Sequence, residues 1–223
     1  MTEIYFIRHA ESIGNMTGRA YGWYDGLVAP KGYEQIKCLE ERFKNIKVDA
    51  VYSSDLTRAV KTAEAIHIPK GLDLYKDPGL REMNLGAWED RRWEDLPSAF
   101  PEEHKLWTYD PLNFKVEGSE TYHEVYDRMH RTFDRIVDEN DGKTVAIVSH
   151  GVALRILMYG IINDGDLSEI ASFGWGDNTC VSHFKADGEK LTSVFINDNS
   201  HLKDLPGFKK STAWGSTREC VLL

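Results

Sequence analysis

Apolar residues along this chain are gathered into short runs, and the two clearest runs end abruptly at polar side chains. The first, residues 2–7, is rich in Ile, Tyr and Phe, and the second, residues 145–148, is continuously apolar. Such runs predict buried strands, and an unbroken apolar run is typical of a parallel strand covered on both faces. Further strands are predicted over 48–53, near 180–184 and near 191–196.

Between the strands, apolar residues recur every three or four positions, which predicts amphipathic helices. The predicted helices cover residues 31–46, a stretch directly after residue 53, residues of about 120–139, and a stretch after residue 151. Alternating strands and helices predict an α/β fold. We expect a three-layer sandwich whose mostly parallel central sheet is flanked by helices.

Length, charge and cysteine content narrow the classes of protein. The 223 residues suit a single domain, 1–223, with its own core. Since 27 Lys and Arg stand against 36 Asp and Glu, the net charge is −9, which argues against a nucleic-acid binder. No apolar run approaches the roughly 20 residues of a membrane span, and the start does not read as a signal peptide. The three cysteines, Cys38, Cys180 and Cys220, lack metal spacing and favour reduced thiols in a cytoplasmic protein.

Candidate chemistry lies where the predicted strands end. The first strand ends at Arg8-His9 and the strong later strand ends just before His150, while Arg58 lies in the first turn of the helix after residue 53. Because parallel strands present their carboxyl ends on one edge, we expect these four side chains to converge. Two guanidiniums and two imidazoles suit a tetrahedral dianion, and a bound anion would offset Arg58 at a helix start. Taken alone, His9 fits a hydrogen-bonded, buried structural histidine better than a catalytic one.

Three stretches are interrupted by glycine and proline. Residues 10–30 are interpreted as a long loop beside the site, and 67–88 as punctuated chain without a predicted strand or helix. Residues 89–117 are rich in charged and aromatic residues, and prolines divide them into short pieces. We predict that 89–117 form a small helical insertion over the site.

The combined pattern resembles the histidine phosphatase superfamily, the phosphoglycerate-mutase-like family of branch 1, over most of the chain. The matching pieces are Arg8-His9-x-Glu11-Ser12-x-x-Asn15, Ser54-Asp55-Leu56-x-Arg58-Ala59-x-x-Thr62-Ala63, Leu80-x-Glu82, Gly86-x-Trp88-Glu89, Glu120-Thr121 with Arg128, and Ser149-His150-Gly151. Each piece alone is unspecific, but their joint occurrence in this order is highly specific.

This resemblance implies roles for particular residues. His9 is implied as the nucleophile that becomes a phosphohistidine, and Glu82 as the acid that protonates the leaving oxygen and then activates water. Arg8, Arg58 and His150 are implied as a phosphate clamp, and Asn15 and Gly151 are implied as further phosphate-binding residues. The attacking imidazole must be neutral, so its other nitrogen should donate to a backbone carbonyl. With two arginines and a histidine cation supplying charge, no metal or other cofactor is expected.

Two alternative functions stay open. A mutase of this family has a Tyr-Gly pair shortly after the acid, whereas Leu85-Gly86 stands here, which favours a phosphatase acting on a small phosphorylated substrate. An arginine pair, Arg91 and Arg92, keeps the mutase alternative open because it suits a substrate carboxylate. The other alternative is a non-catalytic module that binds phosphorylated ligands.

Substrate choice is expected to depend on the segments beside the site. Tyr21, Trp23, Arg91 and Arg92 are the candidate specificity residues. The last four residues, Cys220-Val221-Leu222-Leu223, fit a prenylation signal only weakly, so no membrane partner is expected. The sequence leaves the oligomeric state open, a homodimer included.

Overall fold

The structure is a computed structural model that describes residues 1–188 and 190–208. The strands in these residues are β1 (Thr2–Arg8), β2 (Ala50–Ser53), β3 (Leu74–Lys76), β4 (Thr144–Ser149), β5 (Val181–Asp187) and β6 (Lys190–Asp198). The α-helices in the same part of the chain are α1 (Ile13–Thr17), α2 (Pro30–Phe43), α3 (Thr57–Lys70), α4 (Leu96–Ala99), α5 (Pro101–Tyr109), α6 (Tyr122–Glu139) and α7 (Gly151–Ile162). Short 3₁₀ helices cover Pro78–Leu80, Gly86–Trp88, Trp93–Asp95, Pro111–Asn113, Ile170–Ser172 and Ser200–Leu202.

The six strands form one mixed sheet in the order β3-β2-β4-β1-β5-β6. β3, β2, β4 and β1 run parallel, and β5 and β6 add an antiparallel edge. Arg8 pairs with Ser149 in the register of β1 with β4, so the two histidines that follow these strands begin side by side. The predicted α/β fold with a mostly parallel sheet is confirmed.

Helices cover both faces of the sheet, because side chains of each strand alternate between two apolar clusters. Ile4 and Phe6 of β1 point into the larger cluster, which contains the apolar faces of α6 and α7. Ile7 points into the second cluster together with residues of α2 and α3. The strands β1 and β4 are therefore buried on both sides, as an unbroken apolar run requires.

The loop predicted over residues 10–30 was wrong in part, and the stretch 67–88, for which no element was predicted, contains a strand. Residues 10–30 contain α1, which begins at a capping box between Ser12 and Asn15 but has only five residues, too few for an apolar period to show. Residues 67–88 contain the strand β3, which has three residues and a largely exposed edge, and so lacks an apolar run.

The stretch 89–117 consists of short helical pieces around an aromatic cluster. Trp88 lies at its centre, with its ring centroid 4.8 Å from that of Phe114 and 5.7 Å from that of Trp107. In the described residues no helix is both long and apolar enough to cross a membrane. The prenylation-like residues Cys220 to Leu223 lie outside the part of the chain that the structure describes.

Candidate active site

His9 follows β1 directly, and three contacts fix its backbone. Its carbonyl oxygen accepts a hydrogen bond from the Asn178 side chain at 2.9 Å, and its amide donates to the Ser149 carbonyl at 2.9 Å. The next amide, that of Ala10, donates to the Thr62 hydroxyl of α3 at 2.8 Å. The imidazole Nδ1 lies 2.7 Å from the Ala10 carbonyl oxygen. This contact places the proton on Nδ1 and leaves the Nε2 lone pair free, which is the arrangement expected for a nucleophile.

His150 lies beside His9, with 5.1 Å between the two ring centroids, and is fully buried. Burial and the charges of Arg58 and Arg8 hold the pKa of both histidines well below the ordinary value, and His9 and Arg128 add to this effect at His150. This environment favours neutral imidazoles, and the histidine cation expected in the clamp stays a prediction. The neighbouring arginines already supply positive charge.

Arg8 and Gly151 meet where β1 ends and α7 begins. The Nη1 of Arg8 donates to the Gly176 carbonyl at 2.5 Å. A Cβ on Gly151 would lie 3.2 Å from the guanidinium carbon of Arg8, which is a tight contact, so glycine lets the guanidinium approach the start of α7 closely. The start of α7 at Gly151 and the Arg8 cation therefore border the same cavity.

Arg58, in the first turn of α3, is fully buried. Its terminal nitrogens donate to the carbonyls of Gly22 at 2.7 Å and Tyr24 at 2.9 Å, with a longer contact of 3.4 Å to Tyr21. Burial lowers the pKa of Arg58 to about 10, against the opposing charges of Glu82, Asp25 and Glu89, so the group is still charged at neutral pH. Arg58 therefore holds the loop that begins at Tyr21.

The same loop is held from its other side by Glu89. One carboxylate oxygen accepts from the amides of Trp23 and Leu85 at 2.8 and 3.0 Å, and the other accepts from Gly22 and Tyr24 at 3.1 and 3.0 Å. A guanidinium thus takes the loop carbonyls while a carboxylate takes the loop amides. This double contact fixes the backbone that borders the site.

Glu82 lies against the start of α7. Its carboxylate accepts from the amides of Ala153 at 2.8 Å, Met83 at 2.9 Å and Val152 at 3.1 Å. Arg128 of α6 donates to the backbone carbonyls of Gly79, Arg81 and Glu82. The carboxyl group is therefore held at a defined position although it follows a 3₁₀ helix rather than a strand.

A cavity of about 290 Å³ opens at this edge of the sheet. The predicted residues that line it are Arg8, His9, Asn15, Tyr21, Arg58, Glu82 and Gly151. His150 lies behind the cavity wall, in contact with His9. The three remaining candidates lie outside the lining: Trp23 donates through its indole nitrogen to the Glu82 carbonyl, Arg91 stacks on Phe100, and Arg92 pairs with Glu94.

Several buried polar atoms around the cavity have no hydrogen-bond partner among the described residues. They are Nε of Arg8, Nε of Arg58, and both ring nitrogens of His150. Leaving buried donors unpaired is costly, so these atoms indicate a ligand that accepts hydrogen bonds and carries negative charge. In the described residues no group of three or more His, Cys, Asp or Glu side chains is arranged to hold a metal ion.

Sequence reasoning missed part of the lining. Trp93, Trp107, Trp175, Arg19, Asp177 and Asn178 all line the cavity. The aromatic content of 89–117 indicated the first two, whereas Trp175 follows an irregular segment after α7 and gave no periodic signal. The supporting roles of Glu89 and Arg128 also depend on contacts between distant segments, although both residues belong to the matching motifs.

Comparison with known proteins agrees with this geometry. The profile of the histidine phosphatase superfamily (branch 1) matches residues 4–199. Phosphoserine phosphatase 1 of Hydrogenobacter thermophilus is 30% identical over 202 residues, which cover 91% of this chain and 95% of that protein. Phosphoglycerate mutase-like protein 4 of Arabidopsis thaliana is 31% identical and covers 94% of this chain and 90% of its own length. The solved structure of Bacillus stearothermophilus YhfR has a TM-score of 0.87 and 30% identity, and the match covers 91% of this chain and all of that one.

Fold and site together define an α/β protein built for phosphoryl transfer at a histidine. The chain belongs to the histidine phosphatase superfamily, branch 1. Its fold is that of the phosphatases of this family.

Proposed function

We propose that this protein hydrolyses small phosphomonoesters in two steps through a phosphohistidine at His9. In the first step the Nε2 lone pair of His9 forms a bond to phosphorus while the bond to the leaving oxygen breaks. Glu82, in its protonated form, gives its proton to that oxygen. In the second step the Glu82 carboxylate takes a proton from water, the water oxygen bonds to phosphorus, and the bond to Nε2 breaks. Phosphate leaves and His9 is again neutral.

The observation that carries this proposal is the set of unpaired buried donors beside a histidine whose Nε2 is free. Arg8, Arg58 and His150 supply these donors. In phosphoryl transfer, charge is spread over three oxygens, and fixed donors stabilise that charge without reorganisation. Asn15 and the start of α7 at Gly151 border the same cavity and complete the proposed phosphate site. The Nδ1 contact of His9 with the Ala10 carbonyl orients the ring for attack.

The named relatives include both phosphatases and mutase-like proteins, so the assay must separate hydrolysis from transfer. We expect release of inorganic phosphate from phosphoserine, phosphoglycerates and other small phosphomonoesters, with little interconversion of phosphoglycerates. Tyr21 borders the cavity, while Arg91 and Arg92 lie outside its lining and contact Phe100 and Glu94. This position does not favour the role of the arginine pair in binding the carboxylate of a phosphoglycerate.

The decisive experiment replaces the nucleophile. We expect His9→Ala to abolish phosphate release and to abolish phosphorylation of the protein, measured by rapid acid-free quenching and mass spectrometry. His123→Ala is the matched control because His123 is exposed on α6 and does not line the cavity. Normal turnover by the His9 variant would remove that residue from the nucleophile role. Tight ligand binding by a wild-type protein without turnover would instead support a binding module.

We also propose a cytoplasmic location. Cys38 and Cys180 are free thiols in the structure, as expected in a reducing compartment. Fractionation of the native cells, with detection of the protein in each fraction, tests this proposal.

A further inference from the structure

The guanidinium of Arg155 on α7 is buried among neutral partners. Only 4% of the residue is exposed. It donates to the Phe173 carbonyl at 2.8 Å and to the Ile170 carbonyl, and it forms a hydrogen bond with the Tyr122 hydroxyl. Its carbon lies 4.5 Å from the centroid of the Trp175 ring, which is a cation–π contact. Most of these contacts bind one segment, residues 170–175, to α7.

This segment leads directly into the phosphate site. Trp175 lines the cavity, and the carbonyl of the next residue, Gly176, accepts a hydrogen bond from Arg8 at 2.5 Å. Asn178 then reaches the His9 carbonyl at 2.9 Å. Arg155 therefore contacts the Trp175 ring itself, while Arg8, a residue of the proposed phosphate site, holds the backbone that follows it.

Aromatic side chains form part of the cavity wall, beside the polar residues Arg19, Asp177 and Asn178. Trp93 and Trp107 reach the cavity from the short helices before α6, and Leu85 and Val152 add apolar surface. Arg19, a cation that also lines the cavity, pairs with Asp90, whose carboxylate lies at 3.4 Å. A ligand that matches both regions has a phosphate at one end and a flat apolar group at the other.

We propose that Trp175, positioned by Arg155, contacts the leaving group and selects phosphomonoesters whose leaving group presents a flat apolar face. The inference rests on the proposed hydrolysis at His9 and adds the substrate class. Trp175 is a specificity residue, and Arg155 acts through it as a positioning residue. A buried aromatic contact can change the ratio of kcat/KM between two substrates by about the factor that separates related substrates in an apolar pocket, roughly tenfold or more.

The test compares benzyl phosphate with ethyl phosphate, because benzyl alcohol and ethanol are leaving groups of similar basicity. We expect the wild-type protein to prefer benzyl phosphate about tenfold in kcat/KM. Trp175→Ala should remove most of this preference by raising KM for benzyl phosphate, while Trp175→Phe retains most of it. Tyr109→Ala is the control, since Tyr109 is an exposed aromatic residue of α5 outside the cavity lining.

Arg155→Met should raise KM for benzyl phosphate more than it lowers kcat, and Arg155→Lys should have an intermediate effect because an ammonium lacks the planar fork. If the Arg155 variants fail to fold, the Trp175 variants still decide the question. Equal losses on both substrates would reduce Trp175 to a structural role, and the absence of a wild-type preference for benzyl phosphate would overturn the inference. So would a preference for phosphoserine that Arg19→Ala removes, because it would assign a charged leaving group. Failure of the proposed hydrolysis looks different: neither substrate would release phosphate, or His9→Ala would keep full activity.

Discussion

The rings of His9 and His150 lie 5.1 Å apart between two arginines, and the pKa of each is held well below the ordinary value. Burial is the largest cause at both residues, and the charge of Arg58 follows. Both imidazoles are therefore neutral at neutral pH before an anion binds. A neutral His9 is ready to attack, and a phosphate dianion beside His150 favours its protonated form by offsetting the arginine charges.

This relationship predicts a low acid limit for activity. We expect kcat/KM to stay high below pH 6.5, the ordinary pKa of a histidine, until His9 itself is protonated. The second ionisation of a phosphomonoester near pH 6 is a separate effect. Measuring the profile with two substrates whose phosphate pKa values differ separates these effects, because only the limb that belongs to the substrate moves. A limb at pH 6.5 with both substrates would contradict the lowered pKa of His9.

The same lowered pKa values also determine how the stability of the protein changes with pH. Below pH 6.5 the unfolded chain takes up protons on these histidines, while the folded protein does not until its lower pKa values are reached. The free energy of unfolding must therefore fall as the pH decreases from 7 through this window. Denaturant titrations at pH 7.5 and 5.5 should show a smaller fall for His150→Phe than for the wild-type protein.

Glu82→Gln tests the role of Glu82 as the acid, because glutamine has nearly the same size and shape but cannot give up a proton. The Oε1 atom accepts two amides and Oε2 accepts only that of Val152, so a glutamine can keep the first two contacts and lose one. We expect kcat for an alkyl phosphate to fall about 10²-fold or more, and that for an activated aryl phosphate to fall far less, because only the alkoxide needs a proton. Equal losses on the two substrates would contradict the assignment. Thermal unfolding of the variant serves as its control.

The sheet and the proposed phosphate site could be predicted because their signals are local. An apolar run ends at a histidine, and the next helix starts at once, so the edge of the sheet follows from β1 and β4 alone. Neutrality of His9 also follows from chemistry, and the Ala10 carbonyl supplies the expected partner. Neutrality of His150 did not follow, because it depends on how deeply the ring is buried and on charged neighbours from three separate segments of the chain.

The cavity wall could not be predicted for a related reason. Trp175 comes from an irregular segment that contacts Arg155, an arginine inside an otherwise apolar helix. Trp23 lies in the predicted loop, yet it points its indole nitrogen to the Glu82 carbonyl rather than lining the cavity. The side-chain direction of a loop residue depends on contacts between segments, which no period in the sequence encodes.

Glu89 yields the last prediction, since it holds the loop that Arg58 also holds. Each of its oxygens accepts two backbone amides, so Glu89→Gln must turn an amide NH₂ group toward two donors, whichever oxygen is replaced. We expect the free energy of unfolding to fall by about 2 kcal/mol or more, because hydrogen bonds to a charged group are lost.

The loop carbonyls that orient Arg58 should also shift when the Glu89 contacts are lost. The inhibition constant of inorganic phosphate should then rise and kcat should fall, when both are measured well below the unfolding temperature. Glu41→Gln is the matched control, since Glu41 is exposed and pairs with Lys44 at the surface, and its effect should stay within about 0.5 kcal/mol. A Glu89 variant that is less stable but binds phosphate as the wild type does would show that the loop does not position Arg58.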